Sequence, residues 1–109
     1  MKMPESIKIG WRKYKITEDE KKCNKRGQDV YAEIIYEENS IYVYEKLDNA
    51  NKKVSLLHEI LHGIGYMIGN KSFREDEEII TSLSENLYHV FKDNPDLIKY
   101  LGSDEDEPG

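Results

Sequence analysis

The spacing of apolar positions changes once along the chain. Up to about residue 45 they alternate, and beyond it they recur every three or four residues. Ile7, Ile9 and Trp11 alternate with polar or small residues, which predicts a strand with all three side chains, Trp11 included, on the core face. Tyr14 and Ile16 also alternate, but in shifted register, so a bulge near Arg12 or a short turn is expected between them. Residues 17–27 are polar and charged and read as helix or loop. Residues 30–36 and 41–44 are rich in β-branched and aromatic types and flank Glu37-Glu38-Asn39-Ser40, a turn composition, so they predict a hairpin. A helix follows from residue 49 to about 68, with Asp48 or Asn49 as its N-cap and Gly69-Asn70 as its stop. A second helix over 75–92 places Ile79, Ile80, Leu83, Leu87, Val90 and Phe91 on one face. Asp93-Asn94-Pro95 breaks it, and 96–101 adds one or two further helical turns. Strands come first and helices after, which is an α+β order. The expected fold is a small antiparallel sheet of about three strands packed against two main helices.

Length narrows this picture. A chain of 109 residues makes one domain with a modest core, which benefits from a staple. We expect that domain to span residues 1–101, with 102–109 a disordered acidic tail. The single cysteine, Cys23, cannot close an internal disulfide, so the staple is not a disulfide framework. Its neighbouring lysines would lower its pKa, but no histidine is near in sequence and it reads as an ordinary thiol. No apolar run reaches the roughly 18 residues of a membrane helix, and the N-terminal segment lacks a signal core. A soluble cytoplasmic protein with no membrane partner is therefore expected.

Charge matters more by placement than by its sum of −6. Residues 1–26 hold nine Lys or Arg against four Asp or Glu, whereas 75–78 and 104–107 are each four consecutive acids. An acidic chain is a poor general nucleic-acid binder, because phosphate contact wants a basic surface. The basic N-terminal third reads as a solvated face.

The first long helix contains His58-Glu59-Ile60-Leu61-His62, an HExxH pattern. Residues i and i+4 share a helical face, so two imidazoles there can hold one zinc ion. Glu59, beside them, is placed to take a proton from a water at the metal and act as general base. Around this helix Val54, Leu57, Leu61, Ile64 and Ile68 form one apolar stripe, and Leu56, Ile60 and Met67 form a second nearly opposite the histidines. A helix apolar on two sides is a central one. Gly63 and Gly65 interrupt it at about 1 kcal/mol each against alanine, which asks for close packing of the hairpin or of the second helix.

Zinc needs a third protein ligand. In HExxHxxGxxH proteins this is a histidine, but here Gly65 is followed by Ile68 at that position. His89 falls off the apolar face of the second helix and reads as a surface residue. The acids Glu75, Asp76, Glu77 and Glu78 begin 13 residues after His62, and helical angles favour Asp76, with Glu77 about 100° round and Glu78 furthest away. Acids at a helix N-terminus also complement its dipole.

VSLLHEILHGIGYMIG, followed by DEEIITSLSENLYHVFKDNP, resembles the small phage and bacterial zinc metallopeptidase-like proteins related to the ImmA/IrrE group, which are minimal gluzincins. The likeness covers roughly residues 28–96, and HEILH is its most specific part. It implies an HExxH zinc helix and a second, ligand-bearing helix. Laid on the family pattern, Glu77 takes the ligand position, with Thr81 and Ser84 at small positions and Leu83 and Leu87 at apolar ones; Asp76 and Glu78 remain alternatives. The resemblance also implies a zinc-dependent peptidase, with an edge strand beside the cleft where a peptide adds as an extra strand, and regulatory proteins among its substrates. Two features depart from the family. The separate DNA-binding domain of some relatives is not expected within these residues, and no histidine or tyrosine is an obvious oxyanion stabiliser, with Tyr66, Tyr88 and His89 the ones available. A non-catalytic, zinc-stabilised interaction module of phage or mobile-element origin is the alternative expectation.

Overall fold

The computed structural model describes residues 2–104. Its architecture is α+β. Strands β1 (Ser6–Ile9), β2 (Arg12–Asp19), β5 (Ala32–Ile35) and β6 (Ser40–Tyr44) form one sheet, and β3 (Cys23–Lys25) and β4 (Gln28–Val30) form a small hairpin of their own. Helices α1 (Asn49–Met67), α2 (Lys71–Arg74), α3 (Glu77–Asp93) and α4 (Pro95–Leu101) follow. Of the tail expected from residue 102 onward, residues 105–109 lie outside the described residues.

The sheet order is β1-β2-β6-β5. β1 pairs antiparallel with β2, and β5 with β6, but β2 and β6 run parallel. The sheet is therefore mixed and four-stranded, not a three-stranded antiparallel one. The cause lies in residues expected to be helix or loop. β2 continues through Thr17, Glu18 and Asp19, which pair with Tyr42, Val43 and Tyr44. The chain then turns through β3 and β4 before β5, so β6 enters between β2 and β5. At the hairpin tip Arg26 and Gly27 both take positive φ, at 53° and 81°, a two-residue turn of the kind that suits a tight hairpin.

The shift of register near Arg12 is a short turn. Ile9 pairs with Arg12, leaving Gly10 and Trp11 as the loop. Gly10 has φ 61°, and a Cβ there would lie 2.8 Å from Met67 side-chain atoms, so the turn depends on glycine twice over. Trp11 is 78% exposed, which corrects its expected place in the core. The turn rotates it off the inward face on which Ile9 and Tyr14 lie.

The core is Ile9, Tyr14, Ile16, Ile41 and Val43, with Leu56, Ile60 and Met67 of α1 packed against it. The second apolar stripe of α1 thus covers the sheet. The first stripe is only partly covered, because Leu61 is buried whereas Ile64 and Ile68 are exposed. Asp48 caps α1, its Oδ1 accepting from Asn51 N at 2.8 Å, and Gly69 ends the helix region with φ 71°. On α3 the buried line is Ile80 and Ser84, continued by half-buried Leu87 and Phe91. Ile79, Leu83 and Val90, expected on the core face, are exposed. Among the described residues no helix is long and apolar enough to cross a membrane.

Candidate metal centre

The site forms where α1 meets α2 and α3. From α1 come His58, Glu59 and His62, and the first residue of α3 is Glu77. Among the described residues, one nitrogen of each histidine and one oxygen of Glu77 lie within 4.8 Å of one another. The contacts are closer than that bound. Glu77 Oε1 is 2.8 Å from His62 Nε2, Glu77 Oε2 is 3.0 Å from His58 Nε2, and the two Nε2 atoms are 3.1 Å apart. Ligand atoms held tetrahedrally at about 2.0 Å from zinc are separated by about 3.3 Å, so the spacing is close to that of a metal set.

The chemistry of the donors points the same way. His62 is buried, and its Nδ1 lies 2.6 Å from the Arg74 carbonyl oxygen. A carbonyl only accepts, so Nδ1 carries the hydrogen and the neutral ring has its lone pair at Nε2. Burial lowers the His62 pKa, although Glu77 and the Arg74 carbonyl pull it up. The His62 Nε2 lone pair therefore faces the Glu77 carboxylate at 2.8 Å, and such a contact is repulsive unless a cation or a proton lies between them. The residues present fit a metal ion held by His58, His62 and Glu77.

The other acids are placed elsewhere. Asp76 is the N-cap of α3, and its Oδ1 accepts from Ile79 N at 3.0 Å. Glu75 lines the cleft but lies outside the converging group, and Glu78 is exposed. The angular preference for Asp76 centres the core face on all six apolar positions of α3, of which Ile79, Leu83 and Val90 are exposed. The buried line through Ile80 and Ser84 instead extends back to Glu77, three residues before Ile80.

Glu59 is only 6% exposed. Its Oε1 accepts from the backbone N–H of Ile34 at 3.1 Å. Burial pushes its carboxyl up to about 7, Lys25 opposes this, and Glu77 adds to it. Ile34 lies on β5, which is an edge of the four-stranded sheet, so its N–H points away from β6 toward α1. A cleft of about 940 Å³ runs between this edge, the β3–β4 hairpin and the helices, and it contains His58, Glu59, His62 and Glu77. A smaller hollow of about 590 Å³, between the N-terminal segment and the start of α1, contains none of them.

The expected oxyanion candidates fare differently. Tyr66 lines the cleft, but its ring stacks on Tyr36 at 4.0 Å and 7°, with the Arg12 and Arg74 guanidiniums 5.1 and 5.7 Å from its centroid. Tyr88 and His89 pack against each other, and neither lines the cleft. Three participants had no sequence signal. The Arg74 carbonyl and the Ile34 N–H are main-chain groups, and Tyr36 reads as one more strand aromatic. The Tyr36 hydroxyl donates to the His62 carbonyl at 3.4 Å, and burial pushes its pKa up to about 12. Cys23, expected to be an ordinary thiol, is pushed up to about 11 by burial and by Glu33 and Asp19.

No family model, no curated protein and no solved structure matches this chain.

Proposed function

We propose that the protein is a zinc-dependent peptidase in which His58, His62 and Glu77 hold the metal and Glu59 is the general base. The observation that carries this reading is the convergence of two Nε2 atoms and a carboxylate, with His62 Nδ1 already engaged by a carbonyl. The likeness of residues 28–96 to ImmA/IrrE-related proteins implies the same chemistry. Zinc, when bound, supplies Lewis acidity, polarising a carbonyl and making water a better acid.

The chain's own groups account for the remaining roles. Glu59 is anchored through Oε1 by the Ile34 N–H, which leaves Oε2 to take a proton from the attacking water and return it to the leaving amine. The β5 edge, apart from the Ile34 N–H taken by Glu59, offers main-chain groups to an extended peptide, which would align as an added strand.

The test is Glu59→Gln. Hydrolysis of a peptide library should fall by about 10²–10⁴-fold while zinc content is kept. Undiminished hydrolysis would refute the mechanism. One observation favours a second reading, a zinc-stabilised interaction module: Tyr66 is held in a stack, and Tyr88 and His89 lie off the cleft. A protein that binds zinc, melts lower with chelator and cleaves no peptide would support that module.

A further inference from the structure

The helix α2 is a single turn, with no buried residue, yet its last residue makes the shortest polar contact at the site. The Arg74 carbonyl lies 2.6 Å from His62 Nδ1, and this fixes which ring nitrogen is left for Glu77, His58 and a metal. That approach depends on an absent side chain. A Cβ on Gly65 would lie 2.9 Å from Arg74 Cα, and 3.0 Å from both Arg74 Cβ and Phe73 Cδ2. The first of these is main chain and cannot swing aside. Gly65 follows His62 by three residues, so both sit on the face of α1 turned toward α2. Asn70 holds the turn in shape, its Oδ1 accepting from Phe73 N at 3.0 Å and its carbonyl from Arg74 N at 2.9 Å.

Gly63, two residues earlier, gives a built-in contrast. A Cβ there would meet Ile9 Cδ1 at 2.7 Å and Ile34 Cδ1 at 3.2 Å, which are side-chain atoms on the sheet side. One glycine thus admits the sheet, and the other admits α2.

We propose that Arg74, through its main-chain carbonyl, is a positioning residue for His62, and that Gly65 is the gap in α1 that lets α2 approach closely enough. The consequence for zinc affinity rests on the metal-site reading, whereas the His62 tautomer can be read without metal. In the metal-free protein, long-range ¹H–¹⁵N correlation spectra should show His62 with its hydrogen on Nδ1. Gly65→Ala should mix the two tautomers and weaken zinc binding by about 10- to 100-fold, measured by competition with a chromophoric chelator. Gly63→Ala should change the melting temperature and leave zinc affinity near that of the unmodified protein. If Gly65→Ala does not fold, Asn70→Ala, which removes only the exposed cap of α2, should act in the same direction.

Three results would overturn the proposal. They are His62 carrying its hydrogen on Nε2, a Gly65→Ala or Asn70→Ala variant with unchanged tautomer and affinity, and equal losses of affinity in Gly63→Ala and Gly65→Ala. A protein that binds no zinc, yet shows the Nδ1–H tautomer and loses it in Gly65→Ala, would refute the metal reading while supporting this one.

Discussion

Toward the sheet, α1 presents Leu56, Ile60 and Met67 to a core of Ile9, Ile16, Ile41 and Val43. Toward α2 and α3 it presents His58 and His62 to a backbone carbonyl and a carboxylate. The first contact is non-directional, and residues of similar volume would serve it nearly as well. The second depends on single atoms, and removing one leaves its buried partner unsatisfied at about 1–3 kcal/mol. Gly63 opens the first face and Gly65 the second. One helix therefore holds a tolerant, space-filling side and a demanding, atom-specific one. The fold rests mainly on the former, and the proposed chemistry lies on the latter.

Substitutions can separate the two sides. The largest effect on stability is expected from Ile41→Ala, which empties a fully buried position under the sheet. It should cost about 2–5 kcal/mol in denaturant unfolding, while zinc affinity of the folded fraction stays unchanged. A comparable loss of zinc affinity would mean that the two faces are coupled.

Next in size is the reactivity of Cys23. Its pKa of about 11 lies some two units above the ordinary thiol value, so less of it is thiolate at pH 8. Alkylation should run about a hundredfold slower than in the unfolded chain, and should quicken as pH rises toward 11. A rate equal to that of the unfolded chain would show that β3 does not hold the thiol against the sheet. The smallest effect concerns a flaw on the apolar side. Tyr14 is fully buried and its hydroxyl has no hydrogen-bond partner among the described residues. Tyr14→Phe should be stabilising by about 1 kcal/mol in thermal or denaturant melts. A clear loss would show that the hydroxyl is satisfied.

The same division explains what was legible in the sequence. Both main helices, the β5–β6 pairing within the expected hairpin (though Val30 pairs with Cys23 instead and the strand stops at Ile35) and the pair His58 and His62 follow from periodicity and spacing, because these depend on neighbours along the chain. The parallel pairing of β2 with β6 does not. It turns on Thr17, Glu18 and Asp19, polar residues whose strand state comes from pairing with Tyr42, Val43 and Tyr44. The orientation of α3 differs from the apolar count because a small polar residue, Ser84, lies at the centre of its buried line, its Oγ satisfied by the Thr81 carbonyl at 2.9 Å. An apolar count gives Ser84 no weight, which turned the helix toward Leu83 and favoured Asp76. Glu77, not Asp76, is the acid whose carboxylate lies beside both histidines among the described residues. The Arg74 carbonyl and the Ile34 N–H carry no side-chain identity and leave no trace in a sequence.

The proposed zinc site lies on the face of α1 turned toward α3 and is completed by Glu77. Zinc titration of the protein, alongside Glu77→Gln, Asp76→Asn and Glu78→Gln, tests it most directly. One zinc per chain is expected for the unmodified protein and for the Asp76 and Glu78 variants, with binding weakened by orders of magnitude in Glu77→Gln alone. No zinc uptake by the unmodified protein, or full uptake by Glu77→Gln, would contradict it.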